Sequence, residues 1–274
     1  MKSILSFLLM AALVAGFALR ADAVAFTLTD LNSVFTVTSG SGATTWSVDG
    51  TDQLSLQAFW FRLTDSGREC RLSNYFSSGN VSPDHRTAVL WYTHNDFQAQ
   101  VTYTLTGGTA GSGTSDVSET IRITNDTRCH PIHMRFFQYS DFDLGGTPND
   151  DQLWFPNQNA VRQVDGGGTG MLSETVVTPV PSSHEGDIYP SLRNRLDNGT
   201  ATTLDNLPAI GGGSIQGDVE WAFMWDRVIN LNDTFIISKD KRLESVVPEP
   251  TTMLLLGVGL VGAELARRRS RKRS

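Results

Sequence analysis

The sequence predicts an all-β fold, a large antiparallel β-sandwich, on three observations. Apolar residues recur at every second position in several stretches, glycine-rich reversals separate those stretches, and no segment between the two ends of the chain keeps helical periodicity beyond about two turns. Alternation of period two turns one side-chain face toward a core and the other toward water, and about 225 residues of such sequence suffice for one domain with its own core.

Taken in order, Phe26 with Leu28, Phe35 with Val37, and the run 54–63 give the first strands, and 88–93 the next. The cleanest alternation follows, with Phe97, Ala99, Val101, Tyr103 and Leu105 separated by polar residues. Stretches 117–124 and 134–139 continue the pattern, Val219, Trp221, Phe223 and Trp225 repeat it with larger side chains, and 235–238 closes the series. Asp49-Gly50, the glycines between 107 and 113, Gly145-Gly146, 166–168 and 211–213 supply the reversals, because glycine reaches positive φ at little steric cost. The span 157–208, broken by glycines and by Pro179, Pro181 and Pro190, reads as long surface loops with one short helix. The strand number exceeds that of an immunoglobulin sandwich and suits the supersandwich type by analogy.

The two ends differ from this middle. Lys2, an apolar run from Ile4 to Leu19 and the small-x-small site ending at Ala23 have the layout of a secretory signal peptide cut after Ala23. At the other end stand Pro248-Glu249-Pro250, an apolar segment 251–266, and a cluster beginning Arg267-Arg268-Arg269. A full membrane crossing takes ~20 apolar residues, so the segment is a short transmembrane helix suited to transient inner-membrane contact, with the arginines held on the cytoplasmic side. Three regions result: a signal peptide (1–23), the β-sandwich (24–247) and a C-terminal signal (248–274).

The Pro-Glu-Pro motif, the apolar segment with Gly257 and Gly259, and the arginine cluster together resemble the PEP-CTERM sorting domain of Gram-negative, exopolysaccharide-producing bacteria. That resemblance implies processing by an exosortase, which acts on Pro248, Glu249 and Pro250 and removes the helix and Arg267, Arg268 and Arg269. It also implies a protein exported across the inner membrane, by way of signal peptidase, to the cell surface or beyond. Glu264 departs from the usual all-apolar segment and lies one turn from the arginines.

The whole chain carries 22 basic and 29 acidic residues, a net charge of −7. Both cleavages together remove eight basic and two acidic residues, leaving 14 against 27 and a net charge of −13. Such a balance argues against nucleic acid as a partner and favours cations. Cys70 and Cys129, the only cysteines, read as a disulfide in an exported protein, with two separate thiols as the alternative.

Candidate sites are few. Asp141, Asp143, Asp150 and Asp151 crowd a glycine-containing segment whose oxygens suit a structural Ca²⁺, although an acidic position twelve of the EF-hand kind is missing, and no other cofactor is expected. His130 and His133 are three residues apart, which on a strand turns them to opposite faces and disfavours zinc. Glu119 shares the register of Val117, Ile121 and Ile123 and therefore points to the core, where a carboxylate needs partners or a glycosidase-like role. His184-Glu185 has no second catalytic group nearby in sequence. Most tryptophans take strand positions suited to core packing, and Trp154, beside Phe155-Pro156, is the one placed for ligand contact. The expectation is a non-catalytic sandwich associated with exopolysaccharide or biofilm matrix. A carbohydrate-binding module is the first alternative and a polysaccharide-modifying enzyme the second.

Overall fold

The computed structural model describes residues 23–64 and 67–245. The signal peptide up to Asp22, the Pro248-Glu249-Pro250 motif, the apolar segment and Arg267, Arg268 and Arg269 lie outside the described residues. Ala23 is described and exposed, at the edge of the first strand. Among the described residues no helix is long and apolar enough to cross a membrane.

Strands dominate. The first half holds β1 (Ala25–Asp30), β2 (Ser33–Thr38), β3 (Gly42–Val48), β4 (Thr51–Asp52), β5 (Leu54–Arg62) and β6 (Cys70–Arg71). A 3₁₀ turn, Leu72–Tyr75, leads to β7 (Phe76–Val81), β8 (Thr87–Thr93), β9 (Phe97–Gly107), β10 (Thr114–Asn125) and β11 (Ile132–Phe142). After a second such turn, Leu144–Gly146, come β12 (Asp151–Asn157), β13 (Ala160–Val164), β14 (Gly170–Thr178) and β15 (Ser183–Ile188). Helix α1 (Ser191–Asp197) precedes β16 (Ile215–Gly217), β17 (Val219–Ile229) and β18 (Thr234–Ser245).

These form two antiparallel sheets of nine strands. The first runs β1-β2-β3-β5-β11-β17-β15, with β4 on β3 and β6 on β5; the second runs β16-β12-β13-β14-β18-β10-β9-β8-β7. Alternation is clean where only one face is buried, as in β9 and β10. In β5, β11 and β17 it fails, because both faces of the first sheet are covered there. The inner face meets the second sheet through Trp46, Phe142, Trp221 and Phe223. The outer face carries Leu56, Ala58, Trp60, Phe137, Tyr139 and Ala222 under Leu192, Leu196 and Leu204. At Gly42, φ is +114° and a Cβ would come within 2.2 Å of Gln57 O, so only glycine lets β3 and β5 approach this closely.

Two sequence expectations are corrected. The span 157–208 holds three complete strands, β13, β14 and β15, beside the short helix α1 that was expected there: glycines 166–168 form the turn from β13 to β14, and Pro179 and Pro181 occupy the connection that carries the chain from the second sheet to the first. Turn chemistry marked where strands end, and the short strands between were hidden by it. Cys70 and Cys129 are free thiols rather than a disulfide. Cys70 pairs with Phe61 on β5, which pairs onward with Phe136 on β11, so two strand spacings of ~4.8 Å each separate Cys70 from β11. Cys129 is exposed in the loop before β11, seven residues before Phe136.

Candidate functional site

Four ionisable side chains meet in the middle of the sandwich. Glu119 on β10, Glu174 on β14 and Lys239 and Lys241 on β18 all point inward from the second sheet, none more than 1% exposed. Register makes them neighbours, since Glu119 stands opposite Lys239 and Glu174 opposite Lys241. Lys239 Nζ lies 2.6 Å from Glu119 and 3.7 Å from Glu174; Lys241 Nζ lies 3.1 Å and 3.8 Å from the same two. The first sheet supplies amides. Gln57 Nε2 donates to Glu119 at 2.5 Å, and Gln138 Nε2 donates to Glu174 at 2.9 Å and to Ser140 Oγ at 3.1 Å. Gln138 Oε1 in turn accepts from Lys239 Nζ. Burial alone would raise the pKa of Glu119, but the two lysines reverse this and hold it at about 2. Burial lowers Lys239 to about 8 against the pull of Glu119.

The expectation that Glu119 faces the core is met, and its partners exclude an open cleft around it. Lys239, Lys241 and Glu174 were missed by sequence reasoning. The signal was present, because Ile237, Lys239, Lys241 and Leu243 share one alternation and the lysines therefore face inward with the apolar pair.

The acidic segment divides in two. Asp141, Asp143 and Asp218 offer carboxylate oxygens within 4.8 Å of one another, and so do Asp150, Asp151 and Asp165. The sequence grouped Asp141, Asp143, Asp150 and Asp151 as one loop; the Leu144–Gly146 turn separates them, and each half gains a third carboxylate from elsewhere. Desolvation, then repulsion by Asp143, Asp218 and Glu220, raises Asp141 to about 7. Desolvation raises Asp151 to about 7 despite hydrogen bonds from Leu144 N and Gln163. The buried Oδ1 atoms of Asp141, Asp150 and Asp151 receive no hydrogen bond. Oxygen-only groups of this kind are the residues that could hold a hard cation such as Ca²⁺.

The other expected residues are dispersed. Trp154 is half-buried and lines an open groove of about 510 Å³ with Gln152, Pro156, Gly211, Gly213 and Ser214. Gln152 Nε2 donates to Ser214 Oγ at 2.7 Å across it. His184 is buried against Phe155, 4.2 Å between ring centroids, and Glu185 pairs with Arg195 at 2.5 Å. His133 bonds Asp226 at 2.5 Å, and His130 contacts the Pro131 carbonyl at 3.0 Å. The structure does not bring His184, Glu185 or Glu119 to the Trp154 groove.

Comparison with known proteins separates the domain from the tail. No curated protein matches the chain. Among solved structures, a protein assigned as an aldose 1-epimerase from Escherichia coli K12 aligns with a TM-score of 0.49 and 11% identity, over 81% of this chain and 99% of its own. A polysaccharide lyase aligns at 0.48 and 11%, over 80% of this chain and 33% of its own. A family GH92 α-mannosidase from Bacteroides thetaiotaomicron aligns at 0.41 and 9%, over 81% and 30%. Scores below 0.5 at such identity carry no weight in assigning a function to the sandwich. The C-terminus is different, for residues 246–272 match a family model described as the PEP-CTERM protein-sorting motif, the segment that holds Pro248, Glu249, Pro250 and the arginine cluster. The chain thus carries a PEP-CTERM sorting motif, which addresses it to exosortase-dependent processing during export to the cell envelope.

Proposed function

We propose that the protein is an exported component of the bacterial surface or extracellular matrix, whose β-sandwich scaffolds or binds exopolysaccharide and performs no catalysis. The motif at 246–272 is the observation that carries this reading. Engagement of the acid–base candidates supports it: Glu119 is neutralised inside the core, His184 is covered by Phe155, and Glu185 is paired. Intact mass of the protein from cells and medium of a host possessing an exosortase tests it. A chain beginning near Val24 and ending near Pro250 is expected, and a mature chain that keeps 267–274 overturns the sorting part.

A second reading, a carbohydrate-binding module, is favoured by the groove at Trp154. A partly exposed indole beside an amide and a hydroxyl suits a sugar ring, which offers an apolar face and a rim of hydroxyls. Titration of the domain with matrix polysaccharide, followed by tryptophan fluorescence, tests this. Binding lost in Trp154→Ala supports the groove, and binding unchanged in that variant removes it.

A further inference from the structure

We propose that Lys239 and Gln138 form an intramolecular amide crosslink, in which the lysine amine displaces ammonia from the glutamine carboxamide and ties β18 of one sheet to β11 of the other. The inference is independent of the sorting and glycan readings. It rests on four buried side chains, Lys239, Gln138, Glu119 and Glu174, that meet in the core between the sheets.

The amine touches the carboxamide it would attack, since Lys239 Nζ donates to Gln138 Oε1. Gln57, the other amide, meets the cluster through its Nε2 instead, at Glu119. Glu119 lies 2.6 Å from Lys239 Nζ and is placed to take a proton from the ammonium. Glu174 bridges the two nitrogens that exchange, 3.7 Å from Lys239 Nζ and 2.9 Å from Gln138 Nε2. Lys241 faces both carboxylates, and the Phe59 ring stands 5.4 Å from Lys239 Nζ. Burial, which lowers the lysine to about 8, leaves a share of neutral amine near neutral pH.

The step balances without an oxidant or co-reactant. Glu119 accepts one proton from the Lys239 ammonium, and the freed lone pair forms the Nζ–Cδ bond while the carbonyl π pair moves to Oε1. Glu174 takes a second proton from Nζ and delivers it to Nε2. The oxygen lone pair re-forms the carbonyl as the Cδ–Nε2 bond breaks, and ammonia leaves carrying the proton held by Glu119. Both carboxylates are restored. No member of the set is more than 1% exposed, so water is kept from the adduct and the amide, once made, is protected from hydrolysis. A covalent tie between residues 138 and 239 would restrict the unfolded chain as a long-loop disulfide does, in a protein whose two cysteines are free.

The test is the mass of the full chain, purified folded and then denatured, followed by trypsin digestion. The crosslink lowers the mass by ~17 Da, the loss of one ammonia. It also joins peptide 136–162 to peptide 228–241, because trypsin no longer cuts at Lys239. Recovery of 136–162 and 228–239 as linear peptides at full mass overturns the proposal whatever any variant does. In Lys239→Arg, which keeps the cation, the mass loss and branched peptide are expected to vanish. Their persistence would assign the chemistry to another amine and also overturn it.

Discussion

Before any crosslink forms, Glu119 balances two ammonium groups that have no route to water, so its loss is felt by both. Truncation to alanine leaves Lys239 and Lys241 sharing Glu174 alone, at 3.7 and 3.8 Å. Removing one partner of a buried ion pair typically costs ~3–5 kcal/mol, because a charge stays buried and uncompensated. Glu119→Ala is therefore expected to lower urea-denaturation stability by about that amount, and a loss under ~1 kcal/mol would show that water enters the cluster. A milder contrast comes from the thiols. Cys129 is exposed and Cys70 partly buried, so in the native protein Cys129 is expected to react with a disulfide reagent at once and Cys70 more slowly. Failure of both to react would restore the disulfide. At this scale the inward direction of Glu119 was legible from its register with Val117 and Ile121, whereas its partners lay about 55 and 120 residues away along the chain, a separation that local alternation cannot bridge.

Helix α1 shows what an element adds that periodicity does not announce. Its N-cap position is Pro190, with no side-chain cap, and the open backbone N–H groups of Leu192 and Arg193 donate to Glu220 on β17. An acidic group at a helix N-terminus complements its dipole, so the sheet supplies the cap that local sequence lacks. At the other end Asp197 accepts from Trp60 Nε1 at 3.0 Å and pairs with Arg71, whose guanidinium lies 4.9 Å from the Trp60 ring. Between these fastenings Leu192 and Leu196 cover Trp60, Phe137 and Tyr139. Leu192→Ala is expected to cost ~2–5 kcal/mol, the range for a buried leucine. Amide exchange should locate that loss at 189–208 and β5; uniform deprotection of both sheets would mean α1 unfolds only with the whole domain. The strands with one wet face could be read from the sequence because period two survives there. Strands β5, β11 and β17 were legible too, from 54–63, 134–139 and the run Val219 to Trp225, but not the burial of their second face, whereas β13 to β15 were obscured by the glycines and prolines of their connections.

For the whole molecule the decisive balance is among buried acids. Burial raises Asp116 to about 6 and Asp141 and Asp151 to about 7, and also raises Asp143, Glu185, Asp218 and Glu220. A carboxyl whose folded pKa lies above its unfolded value binds more protons when folded, so its contribution is fully present below about 4 and is lost as pH rises through its folded pKa. His94 and His184, both lowered by burial, act the other way below about 6.5. Seven acids against two histidines make stability fall from about pH 4 to about pH 7. Glu119 contributes to the acid limit together with Asp49, Asp165, Asp197 and Asp226, which hydrogen bonds or neighbouring cations also lower: held at about 2, it contributes stability above its unfolded pKa that is lost as pH drops from ~4.5 toward 2. Thermal unfolding across pH 2–8 should consequently show a maximum near pH 4–5, well below neutrality. Repeating the scan with millimolar Ca²⁺ isolates the two aspartate groups. A cation held by Asp141, Asp143 and Asp218, or by Asp150, Asp151 and Asp165, replaces the proton that relieves their repulsion and flattens the fall toward pH 7. A fall of the same slope with and without Ca²⁺ would leave protonation as the means by which these carboxylates are accommodated, and would remove the cation expected from their crowding in the sequence.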